Sequence, residues 1–87
     1  MAGNKTRDGL RISNLVSALE NLTGVTIREG RNHPFIARME GYARPCPIAS
    51  STDARRMVVP WIRETTGYQN AKGIYQALRT GDWAYVA

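Results

Sequence analysis

Residues 25–40 read VTIREGRNHPFIARME, and the pattern in this stretch decides which fold the sequence predicts. Residues 25–29 alternate apolar with polar side chains and include β-branched ones, which is typical of a strand. Residues 30–32 form a predicted tight turn, because glycine and asparagine tolerate positive φ. Residues 35–40 predict a second strand. The stretch therefore indicates two neighbouring strands joined by a turn.

The second predicted strand has two different faces. Because side chains alternate along a strand, Phe35, Ala37 and Met39 share one face. Ile36, Arg38 and Glu40 lie on the other. The strand thus has one apolar face and one face that carries two charged residues.

An amphipathic helix is predicted ahead of these strands, over residues 13–22. Ser13 is suited to be its N-cap, because the hydroxyl can accept a hydrogen bond from a free N–H of the first turn. Gly24 is suited to follow its C-terminal end. The apolar face is made by four residues at helical spacing: Leu15, Val16, Leu19 and Leu22.

Residues 41–49, GYARPCPIA, contain two prolines separated by one residue. Proline lacks a backbone N–H, which excludes a central strand and a helix here. An extended edge segment and a bulged continuation of the sheet are both open. Cys46 is the only cysteine and has no zinc-ligand spacing around it, so we interpret it as a packing residue.

Residues 55–62, RRMVVPWI, have two interpretations. A helix capped by Thr52 or Asp53 is one of them. Adjacent β-branched valines and the proline after them argue against it, and favour a strand with Pro60 on an edge or near its end. The sequence therefore predicts a third strand here.

A second helix is predicted over residues 71–78. Asn70 is suited to cap its beginning and Gly81 to follow its end. Ile74 and Leu78 are four residues apart and share a face. The aromatic residues that follow are predicted to close over the core.

These elements predict one α+β domain that covers residues 1–87. Their order is α-β-β-β-α, with an antiparallel sheet of three strands, or four if the proline segment also pairs, and with two helices on one face. Residues 1–9 are predicted to be a flexible arm and residues 82–87 a tail.

The composition favours a polyanionic partner. The 87 residues carry a formal net charge of +5, and the sequence pI is near 10.0, which attracts polyanions over a long range. No stretch approaches the ~18 apolar residues of a membrane helix, and no signal-peptide core is visible. We expect a cytoplasmic protein with no membrane partner, and the sequence holds no motif for a cofactor or a metal.

Four motifs together resemble the HicA (YcfA-like) mRNA interferase toxins, a family of toxin–antitoxin systems. The resemblance covers roughly residues 10–81, and the motifs read LVSALENL, REGRNHPFIARM, RRMVVPWI and GIYQALRTGDW. The resemblance implies a fold like that of the double-stranded RNA-binding domain (dsRBD). It also implies a basic, RNA-binding hydrolase that acts as an endoribonuclease on mRNA, and a HicB-like antitoxin as partner.

The family's histidine lies at the start of the second strand, and two residues here compete for its place. Asn32 matches if the turn aligns without a gap, and His33 matches if the turn carries one extra residue. In the second case His33 would be the catalytic general acid or base, since imidazole titrates near neutral pH. In the first case it is a polar residue beside a turn.

Arginines form the second candidate set, because guanidinium binds phosphate bidentately and stacks on bases. Arg28 and Arg31 are placed to stabilise the charge of a cleavage intermediate. Arg55 and Arg56 are the candidate phosphate clamp at a turn. The residues predicted to bind RNA are Arg28, Arg31, Asn32, Arg38, Arg55 and Arg56.

Two other functions use the same fold. A non-catalytic RNA-binding domain would use the arginines alone. A protein-interaction domain would meet an acidic partner with its basic face. RNA binding at several salt concentrations separates the last function from the others, and a cleavage assay separates the first two.

Overall fold

A computed structural model describes residues 5–30 and 34–83 of the protein. It confirms the α+β class and the three-stranded antiparallel sheet, with three helices where the sequence predicts two. The elements in chain order are α1 Ile12–Glu20, β1 Val25–Arg28, β2 Phe35–Met39, β3 Cys46–Ile48, a π-helical segment Ala54–Val58, α2 Val59–Thr66 and α3 Ala71–Thr80.

The sheet has the order β1-β2-β3 and buries one face. Val25 pairs with Met39, and Phe35 pairs with Ile48, so all four side chains lie on the same face. Ala37 is central in this face and fully buried. The sheet alternation predicted for residues 35–39 is therefore confirmed. This face shares one hydrophobic core with the three helices, which accordingly cover one side of the sheet.

The third strand lies in the proline segment and not in residues 55–62. Its residues, Cys46–Ile48, pair with β2 only, which makes β3 an edge strand. An edge position tolerates Pro47, because one side of the strand makes no ladder hydrogen bonds. The prediction of an extended edge segment within residues 41–49 is therefore confirmed.

Residues 55–62 are helical, and the predicted strand is wrong. Val58, Trp61 and Ile62 are buried at helical spacing, and this burial overrides the strand preference of the valines. Pro60 lies in the first turn of α2, where a missing N–H is tolerated. The cap considered in the alternative prediction is present, since Asp53 Oδ1 accepts from Arg56 N–H at 3.1 Å. Helix α2 ends at Thr66.

The helix ends agree with the sequence prediction for α3 and differ for α1. Asn70 Oδ1 accepts from Gly73 N–H at 3.0 Å, and Gly81 follows α3 with a φ of 81°. Helix α1 begins one residue before Ser13, so the hydroxyl predicted as its cap lies inside the helix. Gly24 has a φ of 88° in the turn that leads to β1, after the helix has ended at Glu20.

The described part of the predicted flexible arm, residues 5–9, is held against the domain. Thr6 is buried, and the Arg7 N–H donates to the Thr52 carbonyl at 2.8 Å. Asp8 accepts from the Ala54 N–H at 2.9 Å. At the other end of the chain, Trp83 packs on the core and donates from Nε1 to the Ala18 carbonyl at 2.8 Å. Residues 5–9 are thus held in place, in contrast to the predicted flexible arm, and Trp83 covers the core as predicted for the aromatic residues of the tail. Tyr85, the other aromatic residue of the tail, lies outside the described residues.

Candidate nucleic-acid interface

The sheet face opposite the helices carries two exposed arginines. Arg28 pairs with Ile36 and Arg38 pairs with Thr26, so the two arginines are diagonal neighbours on adjacent strands. Diagonal neighbours on one face lie about 7–8 Å apart. Together with Pro47 of β3, these residues make the outer sheet face. Alternation along β1 and β2 turns the arginines to solvent because the apolar residues between them enter the core.

An open depression of about 560 Å³ lies along this face. It is lined by Gly24, Val25, Thr26, Arg28, Arg38, Met39, Glu40 and Tyr42. Within the ranges that the structure describes, neither guanidinium has a carboxylate at ion-pair distance, although Glu40 belongs to the lining. The N–H groups of both arginines are therefore available to an anionic ligand.

Three predicted site residues, Arg31, Asn32 and His33, lie outside the described residues. They belong to the connection between β1 and β2, three to five residues beyond Arg28. The choice between Asn32 and His33 as the counterpart of the family's histidine stays a prediction.

Arg55 and Arg56 line two different depressions, and they lie on the π-helical segment and not at a turn. Arg56 lies beside Pro47 and Met57. Arg55 is directed towards α3, and its Cζ atom is 4.5 Å from the centroid of the Tyr75 ring. The structure therefore does not bring the two residues together as one clamp.

A cleft of about 390 Å³ lies between the π-helical segment, the start of α2 and α3, and we call it the helix-side cleft. Three cations and no carboxylate belong to its lining. The lining residues are Arg55, Val59, Ala71, Lys72, Tyr75, Gln76 and Arg79.

Asp8 lies next to this cleft, beside Arg55 and Tyr75, and its oxygens accept several hydrogen bonds. Its Oδ1 accepts from the Thr6 hydroxyl and from Ala54 N–H, and its Oδ2 accepts from Arg55 N–H. Burial alone would raise the pKa of Asp8, but these hydrogen bonds, with a smaller contribution from Tyr75, lower it. Burial and the neighbouring Asp8 raise the pKa of Tyr75. The carboxylate thus acts as a structural cap for the π-helical segment.

The sequence prediction missed the cleft, although part of its signal was visible. Lys72, Tyr75, Gln76 and Arg79 follow the i, i+3, i+4, i+7 spacing of a single helix face. The prediction used only the apolar face of this helix. Tyr75 is half-buried at the core's edge, and its ring contacts Arg55.

A second basic depression continues from the cleft through the shared residue Arg79. It has a volume of about 230 Å³ and also contains Lys5 and Arg11. The two depressions together place five cations on one side of the molecule. They are Lys5, Arg11, Arg55, Lys72 and Arg79.

Arg44 forms an ion pair with Glu64. Its Nη2 lies 2.5 Å from Glu64 Oε2, and the Tyr42 hydroxyl donates to the same oxygen. That hydrogen bond to Glu64 raises the pKa of Tyr42. Arg44 therefore offers less uncompensated charge than Arg28 or Arg38.

Cys46 is buried in β3, and burial raises the pKa of its thiol to about 12. A thiol with this pKa stays protonated at neutral pH and is a poor nucleophile. Its interpretation as a packing residue agrees with this position. Among the residues with described positions, no group of three or more His, Cys, Asp or Glu side chains could hold a metal ion.

Comparison with protein-family models, with curated proteins and with solved structures finds no match to this chain. The resemblance to HicA toxins therefore depends on the four sequence motifs alone. Among the described residues, no helix has the length and apolar character needed to cross a membrane.

Proposed function

We propose that this protein is a small RNA-binding domain that contacts phosphates with Arg28 and Arg38 on its outer sheet face. One observation carries the proposal: the two guanidinium groups are exposed diagonal neighbours without an ion-pair partner among the described residues. An RNA strand that lies in the open depression would contact both groups with its phosphates.

The physical chemistry of the interaction favours this arrangement. Guanidinium groups form bidentate, charge-assisted hydrogen bonds with phosphate oxygens. Each phosphate contact also releases condensed counterions, so the affinity is highest at low salt. The net charge of +5 steers polyanions towards the domain. The choice of RNA among polyanions comes from the resemblance to HicA toxins.

The test is the binding of a short single-stranded RNA at several salt concentrations. We expect the double variant Arg28→Gln/Arg38→Gln to bind more weakly and to reduce the slope of log K against log salt by about 1.4, or about 0.7 per lost contact. The matched control is Arg7→Gln/Arg63→Gln, which removes the same charge from exposed residues outside this depression. Equal behaviour of the two variants would contradict the sheet-face contact.

Cleavage of the bound RNA by His33 extends this proposal. One general base must take the proton of the 2′-hydroxyl, the 2′-oxygen then attacks phosphorus, and the leaving 5′-oxygen must receive a proton. His33 can perform one of these transfers, and Arg28 lies five residues before it in the sequence. A HicB-like antitoxin would be the partner that restrains such an activity.

The prediction for His33→Ala is that RNA cleavage is lost while RNA affinity stays close to that of the wild type. The measurement compares cleavage of a mixed single-stranded RNA with binding curves for the same two proteins. Binding without cleavage by the wild type would leave a non-catalytic RNA-binding domain. Neither binding nor cleavage would instead favour a protein partner with an acidic surface.

A further inference from the structure

We propose that the helix-side cleft is a second RNA contact, which takes one nucleotide of a single strand with its phosphate. This inference depends on the proposed RNA binding but uses a different surface. The outer sheet face and the cleft share no lining residue.

The charge of the cleft is the first argument. Arg55, Lys72 and Arg79 all belong to its lining and no carboxylate does, whereas the depression on the sheet includes Glu40. Asp8 lies next to the cleft and keeps its negative charge while it accepts hydrogen bonds. With Asp8 counted against the three cations of the cleft, and Glu40 against the two arginines on the sheet, the cleft still has the larger positive charge.

The stacking of Arg55 on Tyr75 is the second argument. With its Cζ 4.5 Å from the ring centroid, the guanidinium is held in place by a cation–π interaction. None of the described carboxylates lies at ion-pair distance from it, so its side-chain N–H groups are free for a ligand. Phosphate binding then costs less side-chain entropy than it would with a mobile arginine.

The size and lining of the cleft are the third argument. Its volume of about 390 Å³ lies within the range of small-ligand sites. Ala71 and the half-buried ring of Tyr75 supply apolar surface for a base, while Gln76 supplies an amide. Bases that are free of a duplex can use such a surface, which favours a single strand.

The neighbouring depression extends this path. Arg79 belongs to both depressions, and Lys5 and Arg11 lie beyond it. A strand that leaves the cleft past Arg79 would therefore continue over positive surface. This continuity favours a polynucleotide over an isolated mononucleotide.

The test uses the full chain and a single-stranded RNA that contains 4-thiouridine. Variant Lys72→Gln/Arg79→Gln removes two cleft cations, and Arg7→Gln/Arg63→Gln is again the control with the same net charge. We expect the cleft variant to bind about tenfold more weakly or worse and to reduce the salt slope by at least about 0.7, the contribution of the one phosphate held in the cleft. The control should keep the slope of the wild type.

Photocrosslinking shows which part of the protein the RNA contacts, and a change in overall charge cannot mimic that result. Trypsin cuts after Lys72 and Arg79, so the wild-type peptide of residues 73–79, GIYQALR, contains Tyr75. We expect a crosslinked uridine on this peptide. A cleft variant that binds like the control, together with an uncrosslinked peptide, would overturn the inference.

The outcomes separate this inference from the proposed function. Loss of binding only in Arg28→Gln/Arg38→Gln overturns the cleft and leaves the sheet face. Loss only in Lys72→Gln/Arg79→Gln supports the cleft and overturns the sheet-face contact. Absence of RNA binding by the wild type overturns both.

Discussion

Asp8 shows how one side chain can join distant parts of this chain. It lies 46 residues before Ala54 in the sequence, and its carboxylate accepts from the first N–H groups of the π-helical segment. Helix N-termini have unpaired N–H groups and a partial positive charge, so an anionic cap stabilises them. The same carboxylate raises the pKa of Tyr75, and the ring of Tyr75 stacks with Arg55. Asp8 therefore supports both the helix and the cleft.

We expect Asp8→Asn to lower the free energy of unfolding at neutral pH by up to about 1 kcal/mol, because the amide oxygen can still accept a hydrogen bond but the negative charge at the helix N-terminus is lost. Because the pKa of Asp8 is lowered in the folded protein, its charged form stabilises the fold above the ordinary carboxyl pKa. This stabilisation is lost as the pH falls through the folded-state pKa. The difference between wild type and variant should therefore shrink at acid pH.

Urea unfolding at several pH values measures this effect. The matched control is Glu20→Gln, which removes one negative charge from an exposed residue at the end of α1. A stability difference for Asp8→Asn that does not change with pH would rule out the charge of Asp8 as its cause.

At the scale of elements, helix α3 depends on a close fit between its cap and its first turn. Asn70 accepts from Gly73 N–H, and a Cβ added to Gly73 would lie 2.9 Å from Asn70 Nδ2. Glycine costs about 1 kcal/mol relative to alanine inside a helix. Here its missing side chain leaves room for the capping amide.

A double-mutant cycle tests this coupling. We expect Asn70→Ala to destabilise the protein by about 1 kcal/mol through loss of the cap. Gly73→Ala should bring little or no gain in the wild type, because the new methyl group displaces the cap. In the Asn70→Ala background the same change should stabilise by up to about 1 kcal/mol. Equal effects of Gly73→Ala in both backgrounds, measured by thermal unfolding, would contradict the coupling.

At the scale of the whole molecule, the fold separates two basic surfaces. The sheet turns Arg28 and Arg38 away from the core, while the packing of the π-helical segment on α3 forms the cleft around Arg55. The double variants Arg28→Gln/Arg38→Gln and Lys72→Gln/Arg79→Gln therefore change separate surfaces. If one RNA strand contacts both surfaces, a protein with all four substitutions should reduce the salt slope by the sum of the two separate reductions, since the effects of distant sites with no shared partner are usually additive.

The features that depend on local pattern could be predicted from the sequence. Alternation in residues 25–29 and 35–40 predicted two strands and placed Arg38 on the face opposite Phe35, Ala37 and Met39, because a strand's faces follow directly from residue parity. The cap at Asn70 and the glycine after α3 were also predicted, since both act within one helical turn.

The helical state of residues 55–62 and the formation of the cleft depend on tertiary contacts. The valines favour a strand locally, but burial of Val58, Trp61 and Ile62 and the cap from Asp8 make the segment helical. The spacing of the cationic residues on α3 was visible, yet their meeting with Arg55 was not. Both results depend on contacts between residues far apart in the chain, and the free energy of such contacts is absent from local propensity.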